Sequence, residues 1–167
     1  MTRCRPARDD DVPALAAIRN DVATQERLLA DPRPNSDDDV RAWLARRTND
    51  ASALFWVIAD ADDRALGYAQ IVDIDARSRH GRFGIALGPA HRGRGHGRAA
   101  LAHVLGAAAA DARLDKVVLH VAVDNAGAHA LYRAAGFRDA GVLRRHYRGA
   151  DGWHDVAIME RFVKDVA

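Results

Sequence analysis

Residues 83–113 contain the order of elements that most restricts how this chain can fold. A short apolar segment, Phe83–Leu87, is followed by a glycine-rich turn with the sequence HRGRGHGR over residues 91–98. An alanine-rich run then extends to Arg113, and its apolar residues recur at helical spacing: Leu101, Val104, Leu105, Ala108 and Ala112. The pattern predicts a strand, a glycine-rich turn and an amphipathic helix, as in α/β proteins.

The glycine-rich turn is suited to holding a phosphate group. Glycine has no Cβ atom, so the backbone can approach a ligand closely and direct successive N–H groups at it. The first N–H groups of the following helix have no partners within the helix and lie at the positive end of its dipole. Phosphate or pyrophosphate is the ligand that such a site favours.

Two well-known phosphate loops do not fit this turn. The sequence has no G-x-x-x-x-G-K-S/T motif, which excludes a nucleoside-triphosphate P-loop. The spacing of Gly93, Gly95 and Gly97 is G-x-G-x-G, whereas a dinucleotide fingerprint requires G-x-G-x-x-G.

A second informative segment, residues 125–137, has the sequence NAGAHALYRAAGF. By itself it is typical of a short helix, in which Asn125 is the N-cap, Leu131 packs inward and Gly136 ends the helix. The apolar periodicity of the whole chain predicts the order βααβββαβαββ, with the last two strands joined by a turn at residues 149–152.

Both segments match one family in the right order. Residues 92–97 fit R/Q-x-x-G-x-G/A, and residues 125–137 fit N-x-x-A-x-x-L-Y-x-x-x-G-F. The chain therefore resembles the GCN5-related N-acetyltransferases over essentially its whole length. Residues 141–159 and Trp43 are similar to a subgroup that contains ribosomal-protein N-terminal, spermidine and sugar-amine acetyltransferases.

The resemblance implies an α/β fold in a single domain, residues 1–167. Its central sheet is expected to be mixed, mostly antiparallel and splayed at the cofactor site, with about four flanking helices. The co-substrate would be acetyl-CoA, with its pyrophosphate on the backbone N–H groups of residues 93–98 and its arm along Ile85–Leu87. The implied cofactor-binding residues are Ile85, Ala86, Leu87, Arg92, Gly93, Arg94, Gly95, His96, Gly97, Arg98, Asn125 and Tyr132.

Amine acetylation also needs an acid for the leaving thiolate and a base for the amine proton. The resemblance places the hydroxyl of Tyr132 near the thioester sulfur, as the acid. Many relatives carry a Glu base two residues before the position of Gly84, but this chain has Arg82 there. The base therefore stays open: His120 is the leading candidate, and the others are Asp73, Asp75, His146 and His154.

The expected activity is transfer of an acetyl group to a primary amine by direct attack in a ternary complex. The amine is a protein N-terminus, a sugar amine or a small metabolite, and the sequence does not choose among them. If Arg82 points into the site, an anionic acceptor would suit it better than a polyamine. Two alternatives are a catalytically weak acyl-CoA sensor of the same fold and a nucleic-acid binder.

The composition and charge of the chain restrict its expected partners, compartment and metal content. The net charge is only +2 and the arginines are interleaved with aspartates, so we expect no nucleic-acid partner. No apolar run reaches the ~18 residues of a membrane span, and no signal peptide is evident, so we expect a cytoplasmic protein without membrane contact. The eight histidines lack metal-ligand spacing, which predicts no metal site, and the lone Cys4 is not expected to be a nucleophile. The sequence leaves a homodimer open.

Overall fold

The computed structural model describes residues 1–164, and over that range the strands form one seven-stranded sheet in the order β1-β2-β3-β4-β5-β7-β6. The strands are β1 (Arg3–Arg5), β2 (Leu54–Ala59), β3 (Ala65–Asp75), β4 (His80–Leu87), β5 (Lys116–Ala122), β6 (Arg138–Gly149) and β7 (Gly152–Phe162). The α-helices are α1 (Val12–Asn20), α2 (Val22–Arg27), α3 (Asp37–Thr48), α4 (His96–Ala110) and α5 (Ala126–Ala134). The last three residues of the predicted domain, 165–167, lie outside the described residues.

The sheet is mixed and mostly antiparallel, so the predicted fold class is confirmed. Every neighbouring pair of strands is antiparallel except β4 and β5, which run parallel. β4 and β5 run parallel because the glycine-rich turn and α4 connect them. This crossover carries the chain from the end of β4 back to the edge of the sheet where β4 begins, so β5 runs in the same direction.

Helices cover both faces of the sheet, and alternate residues of each strand divide between the two resulting cores. On β3, Ala69 and Ile71 point toward α4 and α5, whereas Tyr68 points toward α1 and α3. We call the side of Tyr68 and Ala86 the front face, and the side of Ala69 and Ile71 the back face.

The structure corrects the sequence prediction in the first third of the chain. The predicted order βααβββαβαββ has two helices before the second strand, but a third, α2 at Val22–Arg27, lies between them, giving five α-helices in residues 1–164. The carboxylate of Asp21 caps this helix by accepting from the backbone N–H of Thr24 at 2.8 Å. Val22 is 56% exposed because α1 ends at Asn20 and the chain turns there.

The helix after the glycine-rich turn is shorter than predicted. It ends at Ala110, and Ala112, expected on its buried stripe, is exposed. The carboxylate of Asp111 accepts from the backbone N–H of Arg113 at 2.8 Å and so stabilises a turn in place of another helical turn. This turn brings Leu114 into the back core, where it is fully buried.

Candidate active site

The parallel strands β4 and β5 separate part of the way along their length. They pair only at His80–Arg82 with Lys116–Val118, while β4 remains paired with β3 as far as Leu87. The backbone groups of residues 83–87 that point away from β3 therefore have no strand partner and can bind a ligand in extended conformation. A cavity of about 1140 Å³ opens at this gap, so the predicted splay is confirmed.

The glycine-rich turn forms one end of this cavity. Gly93 and Gly95 have φ values of +70° and +85°, a left-handed conformation that glycine adopts without strain. Gly95 is the N-cap of α4 and no side chain caps the helix. A Cβ atom at either glycine would meet nothing within 4 Å, so the cradle is open toward the cavity. The arrangement has the geometry and the partial positive charge of an anion site.

The other predicted residues of the turn have different environments. Arg98 lines the cavity, whereas Arg94 and His96 are outside its lining, and His96 Nδ1 is 2.9 Å from the Thr2 hydroxyl. Arg92 also lines the cavity, but its guanidinium donates to the Leu87 carbonyl and the Thr24 hydroxyl. The Arg92 side chain thus joins the turn to β4 and α2.

Asn125 caps a helix at the edge of the cavity. Its side-chain oxygen accepts from the backbone N–H of Ala128 at 3.3 Å, which caps α5, and the residue also lines the cavity. Capping fixes the start of α5 beside the point where β4 and β5 separate, and α5 in turn positions Tyr132.

Tyr132 extends from α5 into the same cavity. Its ring lies between Phe83 and Phe137, with ring centroids 6.1 and 5.8 Å away, and its hydroxyl makes no hydrogen bond within residues 1–164. Burial raises the pKa of Tyr132 to about 12, so the hydroxyl keeps its proton at neutral pH. It is therefore a proton donor that is available to a ligand.

His120 lies on the front face of β5 and lines the cavity together with Arg82 and His146. Its ring is 6.4 Å from that of His146. Partial burial lowers the pKa of His120, and the positive charge of Arg82 and the neighbouring His146 lower it further. The lowered pKa favours the neutral imidazole at pH 7, the form that can accept a proton.

The remaining candidate bases have other partners. Asp73 pairs with Arg82, whose Nη2 lies 2.6 Å from the Asp73 Oδ2, and Asp75 accepts from the backbone N–H groups of the turn after β3. His154 lies 2.6 Å from an Asp151 carboxylate oxygen, which raises the pKa of the imidazole and favours its protonated form. His120 and His146 are the candidates that line the cavity.

Three further observations concern metal binding, membrane-spanning helices and the reactivity of the cysteine. Within residues 1–164 no group of three or more His, Cys, Asp or Glu side chains is placed to hold a metal ion. No helix in the described part of the chain has the length and apolar character needed to cross a membrane. Burial raises the pKa of Cys4 to about 11, so its thiol is protonated at neutral pH and is a weak nucleophile.

Sequence reasoning did not single out the front-face residues of the cavity, among them Arg19, Arg47, Tyr68 and Gln70. Gln70 could have been noticed, because it is a polar residue within the otherwise apolar segment 66–72. The arginines carried no such signal, since charged residues on helices are usually solvated.

Three comparisons describe what this chain is similar to. Residues 3–138 match the family model of the acetyltransferase (GNAT) domain. The chain is 28% identical over 124 residues to a spermidine N(1)-acetyltransferase of Vibrio cholerae, which covers 74% of this chain and 72% of that protein. It is 37% identical over 82 residues to the Escherichia coli ribosomal protein bS18-alanine N-acetyltransferase, covering 46% and 51% of the two chains.

The fold has a close match among solved structures. The spermidine N-acetyltransferase of Vibrio cholerae, in complex with CoA and spermine, superimposes with a TM-score of 0.89 at 24% identity, covering 96% of this chain and 95% of the other. At this identity the likeness concerns the fold alone.

Proposed function

The chain belongs to the GNAT family of acetyltransferases, and we propose that it transfers the acetyl group of acetyl-CoA to a primary amine by direct attack in a ternary complex. Family membership makes it an acetyl-CoA-dependent N-acetyltransferase that acts on amines. The main support for the mechanism is that one cavity contains the N-terminus of α4, the unpaired edge of β4 and the free hydroxyl of Tyr132. We further propose that residues 1–167 form a single domain.

On the donor side, the protein supplies fixed positive partial charge and hydrogen bonds. The N–H groups of residues 93–98 would hold the pyrophosphate. The backbone groups of the segment Ile85–Leu87 that point away from β3 would pair with the pantetheine arm, apart from the Leu87 carbonyl, which already accepts from Arg92. Acetyl-CoA brings the acetyl group as a reactive thioester. An N–H group at this edge would stabilise the negative charge that develops on the carbonyl oxygen during attack.

Two side chains would handle the protons. The Tyr132 hydroxyl, which is protonated at neutral pH, would donate its proton to the departing sulfur. The neutral imidazole of His120 would accept the proton that the amine loses, directly or through water. No covalent enzyme intermediate is needed, because both substrates would meet in the one cavity.

Thiol release tests the proposal. We expect the protein to bind acetyl-CoA but not ATP, and to release CoA only when a suitable amine is present, with one acetylated amine formed for each thiol. The assay would use the purified full chain with a thiol reagent and mass detection of the product. Binding of acetyl-CoA without amine-dependent thiol release would favour the sensor alternative, and the absence of binding would contradict the assignment of the cavity.

The assignment of His120 predicts how rate depends on pH. We expect kcat to fall on the acid side as pH drops through the pKa of His120, below the usual value of about 6.5 for histidine. Arg82→Gln removes a neighbouring positive charge, so it should raise that pKa and move the acid limb to higher pH. The measurement is the pH profile of kcat at saturating substrates.

His120→Gln supplies the complementary test. The ratio of wild-type to variant rates cancels the ionisation of the amine itself and leaves the part of the profile that is due to the imidazole. If His120→Gln retains the wild-type acid limb and rate, the base lies elsewhere and His146 becomes the remaining candidate in the cavity lining.

A further inference from the structure

Positively charged side chains outnumber negatively charged ones in the lining of the cavity. Its lining contains seven arginines, whereas a single carboxylate, that of Asp31, contributes negative charge from the described residues. A cavity that takes up a polyamine would be expected to have the opposite balance, because carboxylates are needed to neutralise a cation as it leaves water.

Several of these arginines lie on the opposite face of the sheet from the glycine-rich turn. Arg19 is in α1 and Arg47 is in the last turn of α3, and both helices cover the front face beside Tyr68. Arg33 lines the cavity from the segment between α2 and α3. The glycine-rich turn leads into α4 on the back face, so the phosphates of acetyl-CoA do not account for the front-face cations.

Within residues 1–164 no carboxylate lies at ion-pair distance from Arg19, Arg33 or Arg47. Among the ion pairs of residues 1–164, Arg82 is the one cavity arginine that is matched with a carboxylate, that of Asp73. Arg19 and Arg47 are half-buried. Burial lowers the pKa of Arg19; Tyr68 acts to raise it, and the charges of Arg33, Arg47 and Arg46 act to lower it. Placing unpaired cations together costs free energy that a bound anion would offset.

Neighbouring groups hold the guanidinium of Arg19 in place. It lies over the ring of Trp43 at 4.4 Å from the centroid, and its Nη2 is 3.3 Å from the Asn35 side-chain oxygen. An arginine that is positioned by an aromatic face and an amide keeps its remaining donors directed at a ligand, with little entropy left to lose on binding.

Gln70 adds a hydrogen-bonding group beside this cluster. Its side-chain oxygen is buried without a hydrogen-bond partner in residues 1–164, and the residue lines the cavity next to Gly84 on β4. A buried carbonyl oxygen without a partner costs free energy unless a ligand donates to it. An amine, or a hydroxyl close to it, supplies the donor.

We propose that the acceptor is an amine that also carries an oxyanion, either a phosphate or a carboxylate, and that Arg19, Arg47 and Arg33 bind this group. Gln70 accepts a hydrogen bond from the same molecule. The inference rests on the proposed function, since it assigns the substrate class of the same cavity. It excludes a polyamine as the preferred acceptor.

The test compares amines with and without an oxyanion. With acetyl-CoA saturating, kcat/KM would be measured by thiol release for glucosamine 6-phosphate against glucosamine, for alanine against alaninamide, and for spermidine. Binding of each amine to the CoA-saturated protein would be measured in parallel by calorimetry. We expect the anionic member of at least one pair to bind and react at least about tenfold better than its neutral partner and than spermidine. The phosphate and carboxylate pairs show which oxyanion is favoured.

Substitution of a single arginine connects that preference to the cluster. Arg47→Gln should lower kcat/KM for the anionic acceptor about tenfold and leave the acetyl-CoA Kd unchanged. Arg46→Gln is the matched control: this neighbouring arginine is exposed and outside the cavity lining and acts on Arg19 through its charge alone, so its effect on kcat/KM should be well below tenfold. Arg19→Gln should act like Arg47→Gln, although it also removes the contact with Trp43.

The outcomes separate the two proposals. If the wild-type protein does not bind acetyl-CoA, the proposed function itself is wrong. Two results with normal acetyl-CoA binding would overturn this inference alone. One is that the protein uses spermidine as well as or better than the anionic amines. The other is that neither anionic amine gains in binding or rate over its partner. An anion preference that survives Arg47→Gln and Arg19→Gln would also overturn the assignment to this cluster.

Discussion

Gly95→Glu is expected to abolish binding of acetyl-CoA while the protein remains folded. Gly95 has a φ of +85° and no atom within 4 Å of the position of a Cβ, so the new side chain would enter the phosphate cradle itself. The carboxylate would take the place of the ligand's charge at the N-terminus of α4, where the helix dipole favours it. The pyrophosphate would then meet a like charge instead of free N–H groups.

Thermal unfolding with and without acetyl-CoA measures this effect. A ligand at a hundredfold excess over Kd stabilises the folded state by about 2.7 kcal/mol, and this gain should vanish in Gly95→Glu. The left-handed backbone at position 95 costs a non-glycine residue roughly 1–2 kcal/mol, which sets the expected loss of stability without ligand. Activity should fall below detection at wild-type substrate concentrations.

Gly106→Glu is the matched control for this experiment. It makes the same substitution in the same helix at an exposed position with nothing within 4 Å of the new Cβ. Replacing a glycine inside a helix should slightly stabilise the protein, and the stabilisation by acetyl-CoA should be retained. A Gly95→Glu variant that kept the full stabilisation would show that the phosphates bind elsewhere.

Tyr132→Phe is expected to lower kcat by about a hundredfold, the lower end of the range for loss of a general acid. The ring would keep its contacts with Phe83 and Phe137, and the hydroxyl has no hydrogen-bond partner to leave unpaired within residues 1–164. We therefore expect the unfolding midpoint and the acetyl-CoA Kd to be nearly unchanged.

The division of the effect between kcat and Kd identifies the role of Tyr132. A residue that only packs against the cofactor would change Kd or stability when its hydroxyl is removed, and it would leave the chemical step intact. Single-turnover thiol release and calorimetry with acetyl-CoA make the distinction. A kcat within twofold of wild type would contradict the assignment of Tyr132 as the acid.

The sequence was sufficient for the elements whose signals are local. The glycines of residues 93–97 indicate a turn, because glycine adopts the left-handed φ values found at Gly93 and Gly95 without strain. The helical period of the apolar residues that follow predicts α4 directly after this turn. The seven strands followed from apolar runs and turn residues in the same way. The missed helix α2 is six residues long, too short for its periodicity to be distinguished from an irregular segment.

The tertiary structure decided which side chains meet in the cavity. Arg19, Arg47 and Gln70 come from α1, α3 and β3, and no local pattern connects them, because their proximity depends on how the helices pack on the sheet. The direction of Arg82, the engagement of Arg92 with Thr24 and the capping role of Asn125 were likewise set by neighbours far apart in sequence. Backbone propensities are local, and the charge and hydrogen bonding of a binding site are not. The sequence alone thus determined the family and predicted where the donor binds, while the acceptor side depended on the folded molecule.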